Sequence, residues 1–352
     1  MTQTVTQNLD YLAARAHARR SRLVDAPRLD ALCRLRSVPE LAAMLHPEFK
    51  TETAAIWQHQ LTRELIRELI DWQNNLEGAA ARLLNWLLVR FQLENLKILL
   101  RAWLARVPAA TVRPQLVPLP PELMLDAAIP AGATSLSHFA RQLPEGVFRE
   151  CLEQTPARAP ATAQLFLTEA ALDHAYFQEL LHRTTQLAGA DRDCLRALAQ
   201  QEADTFHLML VARGKFVHGL PAEHLNRWHV AGTRISRIRF NAMLADADLR
   251  TALRRAVGLA LDAMPTTSEG EPATVSLAVA LEAAATQRLM RLANRACRGG
   301  FTGLGVIVGH AVLRRLEAAN LTTLSEGIRL AMPGEAIRAR LTSGQKGEAM
   351  HV

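Results

Sequence analysis

The sequence predicts an all-α protein built from three similar helical bundles, and three observations carry that prediction. Hydrophobic residues make up 49% of the chain, chiefly Ala and Leu, whereas aromatics are 5% and Tyr occurs twice, so strand-favouring side chains are scarce. Long stretches space their apolar residues at helical intervals. One segment recurs three times, about 112 residues apart. With 352 residues, 21% of them charged, the chain is large enough for two or three modest domains with real cores.

The first clear helix runs from Ile56 to Ile70, with Leu61, Leu65 and Leu69 on one face and Arg63, Glu64, Arg67, Glu68 and Asp71 on the other. Asn74, Asn75 and Gly78 tolerate positive φ and predict a turn, after which the next helix is expected to fold back as an antiparallel hairpin. That helix, Leu83 to Leu104, is the most apolar stretch. Arg90, Glu94, Lys97 and Arg101 interrupt it at depths a bilayer would penalise, so it is not a membrane span. Their spacing makes one charged stripe, expected as a wet edge with pairs at i+3 and i+4. Helices cannot run through the proline clusters at Pro108 to Pro121, at Pro156 and Pro160, and at Pro265 and Pro272.

The recurrence sets the organisation. Asn95-Leu96-Lys97-Ile98-Leu99-Leu100-Arg101-Ala102 aligns with His207-Leu208-Met209-Leu210-Val211-Ala212-Arg213-Gly214, and again with the segment opening at Asn320-Leu321 and reaching Glu326-Gly327. Downstream, Leu220-Pro221-Ala222-Glu223-His224-Leu225 aligns with Met332-Pro333-Gly334-Glu335-Ala336-Ile337. Each copy reads as a final helix, a Gly or Pro stop, and a short helix with Pro at its start and Glu in its first turn. The expected units are 1–115, 116–230 and 231–341, forming a pseudo-threefold body, with a flexible tail over 342–352.

Nothing in the sequence asks for catalysis. Cys33, Cys151, Cys194 and Cys297 form no Cys-x-x-Cys pair and are expected as buried or incidental thiols in a reducing compartment. His224 and His229, flanking Trp228, are expected in packing or surface roles, and no metal site is called. Gly299, Gly300, Gly303 and Gly305 precede a helix whose amides would suit an anion, but no Gly-Lys-Ser/Thr accompanies them; a flexible loop is preferred and no cofactor is called. Glu64 and Glu68 are expected on an exposed mixed-charge face, and no nucleophile signature occurs. The net charge of +7 is spread along the chain. Its densest patch, Arg15, Arg19, Arg20 and Arg22, reads as a solvated helix face, and Arg234, Arg237 and Arg239 as a salt-bridged or partner-facing surface. Phe216, Trp228 and Phe240 are too few to serve as a nucleic-acid platform. The start, Met-Thr-Gln-Thr-Val-Thr-Gln-Asn, has neither a basic opening nor an apolar core, so no secretory signal is read and the cytoplasm is expected.

At the repeat residues the sequence resembles the C/d-type central-stalk family of V/A-type rotary ATPases, whose chains carry three helical units with recurrent Asn-Leu-x-x-Leu-x-Arg segments. Tyr11 to Ala16 with Ser21-Arg22-Leu23, Phe91 to Ala102, Leu172 to Phe177 with Asp204 to Lys215, and Glu317 to Leu321 with the Pro333 to Ile337 turn carry the resemblance. Three departures stand out: His207 replaces an expected Asn, His310 an expected Tyr, and the basic residue near Gly327 is missing. The resemblance implies a funnel or socket of three helical domains that does no chemistry. It would receive the central shaft (D/F-type subunits) and sit on the rotor-ring proteolipid at the cytoplasmic face, touching the membrane only through the complex and coupling ATP turnover to proton or sodium transport. The alternatives are an independent helical adaptor and, behind it, an enzyme needing a deep pocket of converging ionisable residues rather than a broad concavity.

Overall fold

The computed structural model describes residues 2–49, 51–155, 161–257, 273–300 and 302–342. Among them every regular element is helical and no strand occurs. The breaks expected at Pro156 and Pro160 and at Pro265 and Pro272, and the tail from residue 343, lie outside the described residues. No described helix is long and apolar enough to cross a membrane. The chain divides into two compact units, one holding residues up to Asn85, Gly189–Leu195 and those from Thr286 on, the other Trp86–Ala188 and Arg196–Ala285.

The first unit is organised around helix Leu304–Arg329, whose opening residues Leu304 to Leu313 are all buried. Helices Thr2–Arg20 and Ala54–Gln73 pack along it. Gly309 allows the close approach of Ala273–Arg298, because a Cβ there would lie 2.9 Å from the Ala293 carbonyl oxygen. Asp25 and Ser37 accept backbone N–H groups of Arg28 and Glu40, and with Pro27 and Pro39 in the first turns they start the short helices Ala26–Leu32 and Val38–Leu45. These bury Leu29, Leu32 and Leu41 against Trp57, Leu61, Leu324 and Ile337.

Two sequence expectations need correction here. Gly78 does adopt positive φ, 61°, but Ala54–Gln73 packs mainly on Leu304–Arg329 and not along the helix that follows it. The reason is chemical match: its buried side, which includes Leu61, Leu65, Leu69 and Trp72, is completed by the buried start of the later helix, apolar apart from His310. The Arg15 to Arg22 patch is not a solvated face either. Arg15 pairs with Asp71 at 2.6 Å, Arg19 with Glu68 at 2.7 Å, and Arg20 donates to Asn294, leaving Arg22 alone exposed on the turn.

In the second unit, helices Leu136–Arg141, Val147–Gln154 and Ala161–Thr185 pack in succession. Trp86 stacks on Tyr176, with ring centroids 5.7 Å apart, and donates its indole N–H to the Tyr176 carbonyl. The charged stripe of helix Gly78–Ala105 is wet at Glu94 and Arg101, as its spacing implies, but Lys97 is buried and Arg90 half-buried. Arg90 reaches Glu202 at 2.6 Å, Lys97 reaches Asp173 at 2.6 Å and Arg101 reaches Glu169 at 2.7 Å, so the edge is cross-linked to other helices. Of the intrahelical pairs, Lys97 with Glu94 remains at 3.6 Å. Sequence spacing identifies which residues share a face, but not what lies opposite it.

Candidate functional site

The recurrent segment folds into the same backbone device each time. The polar residue that opens it sits on a long helix and grips a backbone position 22 or 23 residues downstream. Asn95 donates from Nδ2 to the Val117 carbonyl and accepts the Val117 N–H on Oδ1, both at 2.8 Å. Asn320 does the same to Thr342, at 2.7 and 2.9 Å. His207 makes half of the arrangement, its Nε2 accepting the Val230 N–H at 2.8 Å.

Between grip and target, each helix stops in the same way. Arg106, Gly219 and Ala331 adopt left-handed φ of 55°, 65° and 51°. The next residue in each copy, Val107, Leu220 or Met332, donates its N–H at 2.9 Å to the carbonyl of Ala102, Gly214 or Gly327. A proline follows as N-cap of the short helices Ala109–Val112, Ala222–Leu225 and Gly334–Arg338, each of which buries one aliphatic residue: Val112, Leu225 and Ile337. A Cβ on Gly214 would meet Leu225 at 3.0 Å and one on Gly327 would meet Ile337 at 2.6 Å. Where Ala102 carries a real Cβ, the corresponding residue is the smaller Val112. The middle copy has one extra residue in the stop, taken up in the π-helix Leu210–Val217.

The residue just before Ala102, Gly214 or Gly327 ties each long helix to another one. Arg101 pairs with Glu169 on Ala161–Thr185, and Arg213 pairs with Glu282 on Ala273–Arg298. Glu326 accepts at 2.7 Å from Gln58 on Ala54–Gln73. This accounts for the missing basic residue beside Gly327, since an acceptor there faces an amide donor.

A charged cleft of about 880 Å³ opens in the first unit. Its wall includes Glu68, which is not on an exposed face: Arg19, His310 and Arg314 surround it at 2.7, 3.2 and 3.6 Å. Burial pushes the Glu68 carboxyl up, but hydrogen bonding and charge from His310 and Arg19 win and hold it down at about 2. The ionised carboxylate only accepts, so His310 donates Nε2–H to it, as a tyrosine hydroxyl would from the same helix. Glu317 pairs with Arg314 and accepts the Val24 N–H at 2.6 Å. His46 Nδ1 lies 3.1 Å from Glu48 and 3.8 Å from Glu64, a three-ligand group that sequence spacing did not single out. Glu64 also faces Arg67 at 3.4 Å, and the His46 ring stacks on Phe49. The cleft thus holds five arginines against five carboxylates, most of them paired. A carboxylate locked in its ionised form is a structural anchor, not a proton shuttle at neutral pH.

The remaining candidates take packing roles. The Gly303 to Gly305 turn opens helix Leu304–Arg329 with φ of 106° at Gly303, but the Gly305 amide is not free for an anion: Asp191 Oδ1 accepts it at 3.0 Å. His229 is buried and stacks on His207, while His224 is half-buried. Arg234 pairs with Asp204 at 3.1 Å, Arg237 donates to the Asn226 carbonyl, and Arg239 is exposed. Trp228 and Phe240 are buried, so they cannot stack on bases. The four cysteines are free; burial pushes Cys151 and Cys297 up to about 11, which suppresses thiolate reactivity.

Among the described residues every regular element is helical, and the recurrent polar side chains grip backbone positions or cross-link helices. The ATP synthase (C/AC39) subunit family matches residues 12–340, and the chain belongs to it. It is 22% identical over 347 residues to the C-type subunit of the A-type ATP synthase of Methanocaldococcus jannaschii, covering 95% of this chain and 86% of that protein.

Proposed function

We propose that this chain is a non-catalytic coupling subunit of a V/A-type rotary ATPase. It receives the D/F-type shaft subunits and seats on the proteolipid ring at the cytoplasmic face, linking ATP turnover to proton or sodium transport. Family membership over residues 12–340 carries the reading. The triple device of grip, left-handed stop and short helix supports three repeat units, 1–115, 116–230 and 231–341, arranged as a pseudo-threefold funnel. Such packed helical interiors deform little under load, as torque transfer requires. The net charge of +7 favours docking by charge complementarity, which weakens with salt.

The test is a detergent pull-down of tagged full-length protein from its native membranes, with mass spectrometry of everything retained, repeated across a salt series. Recovery of the proteolipid and shaft subunits is expected. Their absence from an otherwise intact assembly favours an independent helical adaptor, and salt-insensitive shaft binding removes the electrostatic part of the proposal.

A further inference from the structure

Two of the three grips are made by a side chain that cannot titrate, and the third is made by one that can. Asn95 and Asn320 hold both the N–H and the carbonyl of their targets, whereas His207 holds only the Val230 N–H, through the lone pair on Nε2. The neutral ring therefore carries its proton on Nδ1, which is buried and has no partner. A second proton has one place to go, Nε2, and there it abolishes the acceptor. We propose that the His207 grip is an acid-operated latch: protonation at Nε2 releases the Val230 amide, while Gln200 and Asp204 on the same helix keep Gly232, Arg234 and Ile235 in place.

The surroundings offer no counter-charge for an imidazolium. On its own helix, Asp204 is committed to Arg234 Nε at 3.1 Å and the Ile235 N–H at 3.0 Å. From the gripped segment comes His229, stacked with ring centroids 4.7 Å away and planes 10° apart, its Nε2–H donating to the Ile235 carbonyl. Helix Ala161–Thr185 contributes His174, and helix Arg237–Ala245 contributes Arg237 and the Phe240 ring at 4.9 Å. Burial above all, then His229, His174 and Arg237, holds His207 well below its usual range; burial likewise lowers His229 and His174. The sign follows: these groups are neutral in the fold and take up protons on release. The latch is thus fully closed above the free imidazole value of about 6.5 and loosens as pH falls below it, up to tenfold per pH unit for each proton taken up.

Amide hydrogen exchange on the full chain between pH 7.5 and 5, corrected for intrinsic rates, tests the latch at three equivalent amides. Val230 protection is expected to fall by about tenfold per pH unit below pH 6.5, while Val117 and Thr342 hold constant. His207→Gln offers an acceptor that does not titrate and is expected to flatten the Val230 profile. Constant Val230 protection, a parallel fall at all three amides, or an unchanged slope in H207Q overturns the proposal. If H207Q does not fold, the three-amide comparison in the unaltered protein decides alone.

Discussion

Replacing Asn95 with alanine cuts the first grip and leaves everything else in its helix untouched. Asn95 is 2% exposed and makes two 2.8 Å bonds to one residue, Val117, so both are lost together. A neutral hydrogen bond contributes about 1 to 1.5 kcal/mol net. Val117 is half-buried, so water recovers part of what its N–H and carbonyl lose, and the small void left by the amide costs little. The expected loss is about 2 to 3 kcal/mol, read as a lower urea midpoint at unchanged slope. Exchange should localise the damage, with the Val117 amide losing protection while Val230 and Thr342 keep theirs. Asn95→Asp retains the acceptor but sets a carboxylate oxygen against the Val117 carbonyl, so it should be no more stable than the alanine variant. A loss below about 0.5 kcal/mol for N95A, within the range of ordinary surface changes, would refute the claim that this grip holds the chain after its helix.

The other predictions come from the same comparison of copies and from the cleft. Ala331 sits at φ 51° where the middle copy has Gly219, so Ala331→Gly should stabilise by about 0.5 to 1 kcal/mol, relief of left-handed strain exceeding the added freedom of the unfolded chain; a lower thermal midpoint would count against it. Gly327→Ala should destabilise by about 1 to 2 kcal/mol despite alanine's better helix propensity, because its Cβ would lie 2.6 Å from Cγ1 of buried Ile337; an unchanged urea midpoint would count against the close packing. Glu68 is held at about 2 in the fold against an ordinary 4.5, so its contribution is complete above pH 4.5 and disappears as pH falls toward 2. That is on the order of 3 kcal/mol. Glu68→Gln should cost about that much at pH 7 and nothing near pH 2, and a gap that stays constant across that range would refute the linkage.

Much of this was legible in the sequence, for physical reasons that vary by residue. Helix existence followed from apolar spacing, and the recurrence aligned the three segments with their stop and short helix, because the stop and the proline each have a local backbone consequence; the grip on a residue 22 or 23 positions later left no signal of its own. Burial of charge was not legible. Glu68 looks exposed on Ala54–Gln73 because its neighbours Arg67 and Glu64 are polar, yet His310, over 200 positions later, comes to lie 3.2 Å from it. The same long-range pairing left Arg15, Arg19 and Arg20 half-buried against distant partners and placed Asp191 on the Gly305 amide. The His46, Glu48 and Glu64 group escaped notice because its members come from a helix end, a turn and a separate helix.

The departures from the family pattern are informative because the grip requires an acceptor at a certain reach, and asparagine is only one way to provide it. The middle copy's extra residue lengthens the path from 22 to 23 positions, and a longer side chain than asparagine spans it there. Histidine reaches but loses the donor to the carbonyl, and it places a titratable ring in a core already containing His229 and His174. The third copy exchanges arginine for Glu326 and keeps its cross-link by meeting Gln58. In both cases the interaction persists while its chemistry changes, so the three copies in this chain keep the device without keeping its residues. What changes is the response to conditions, since an Asn grip is indifferent to pH and a His grip is not.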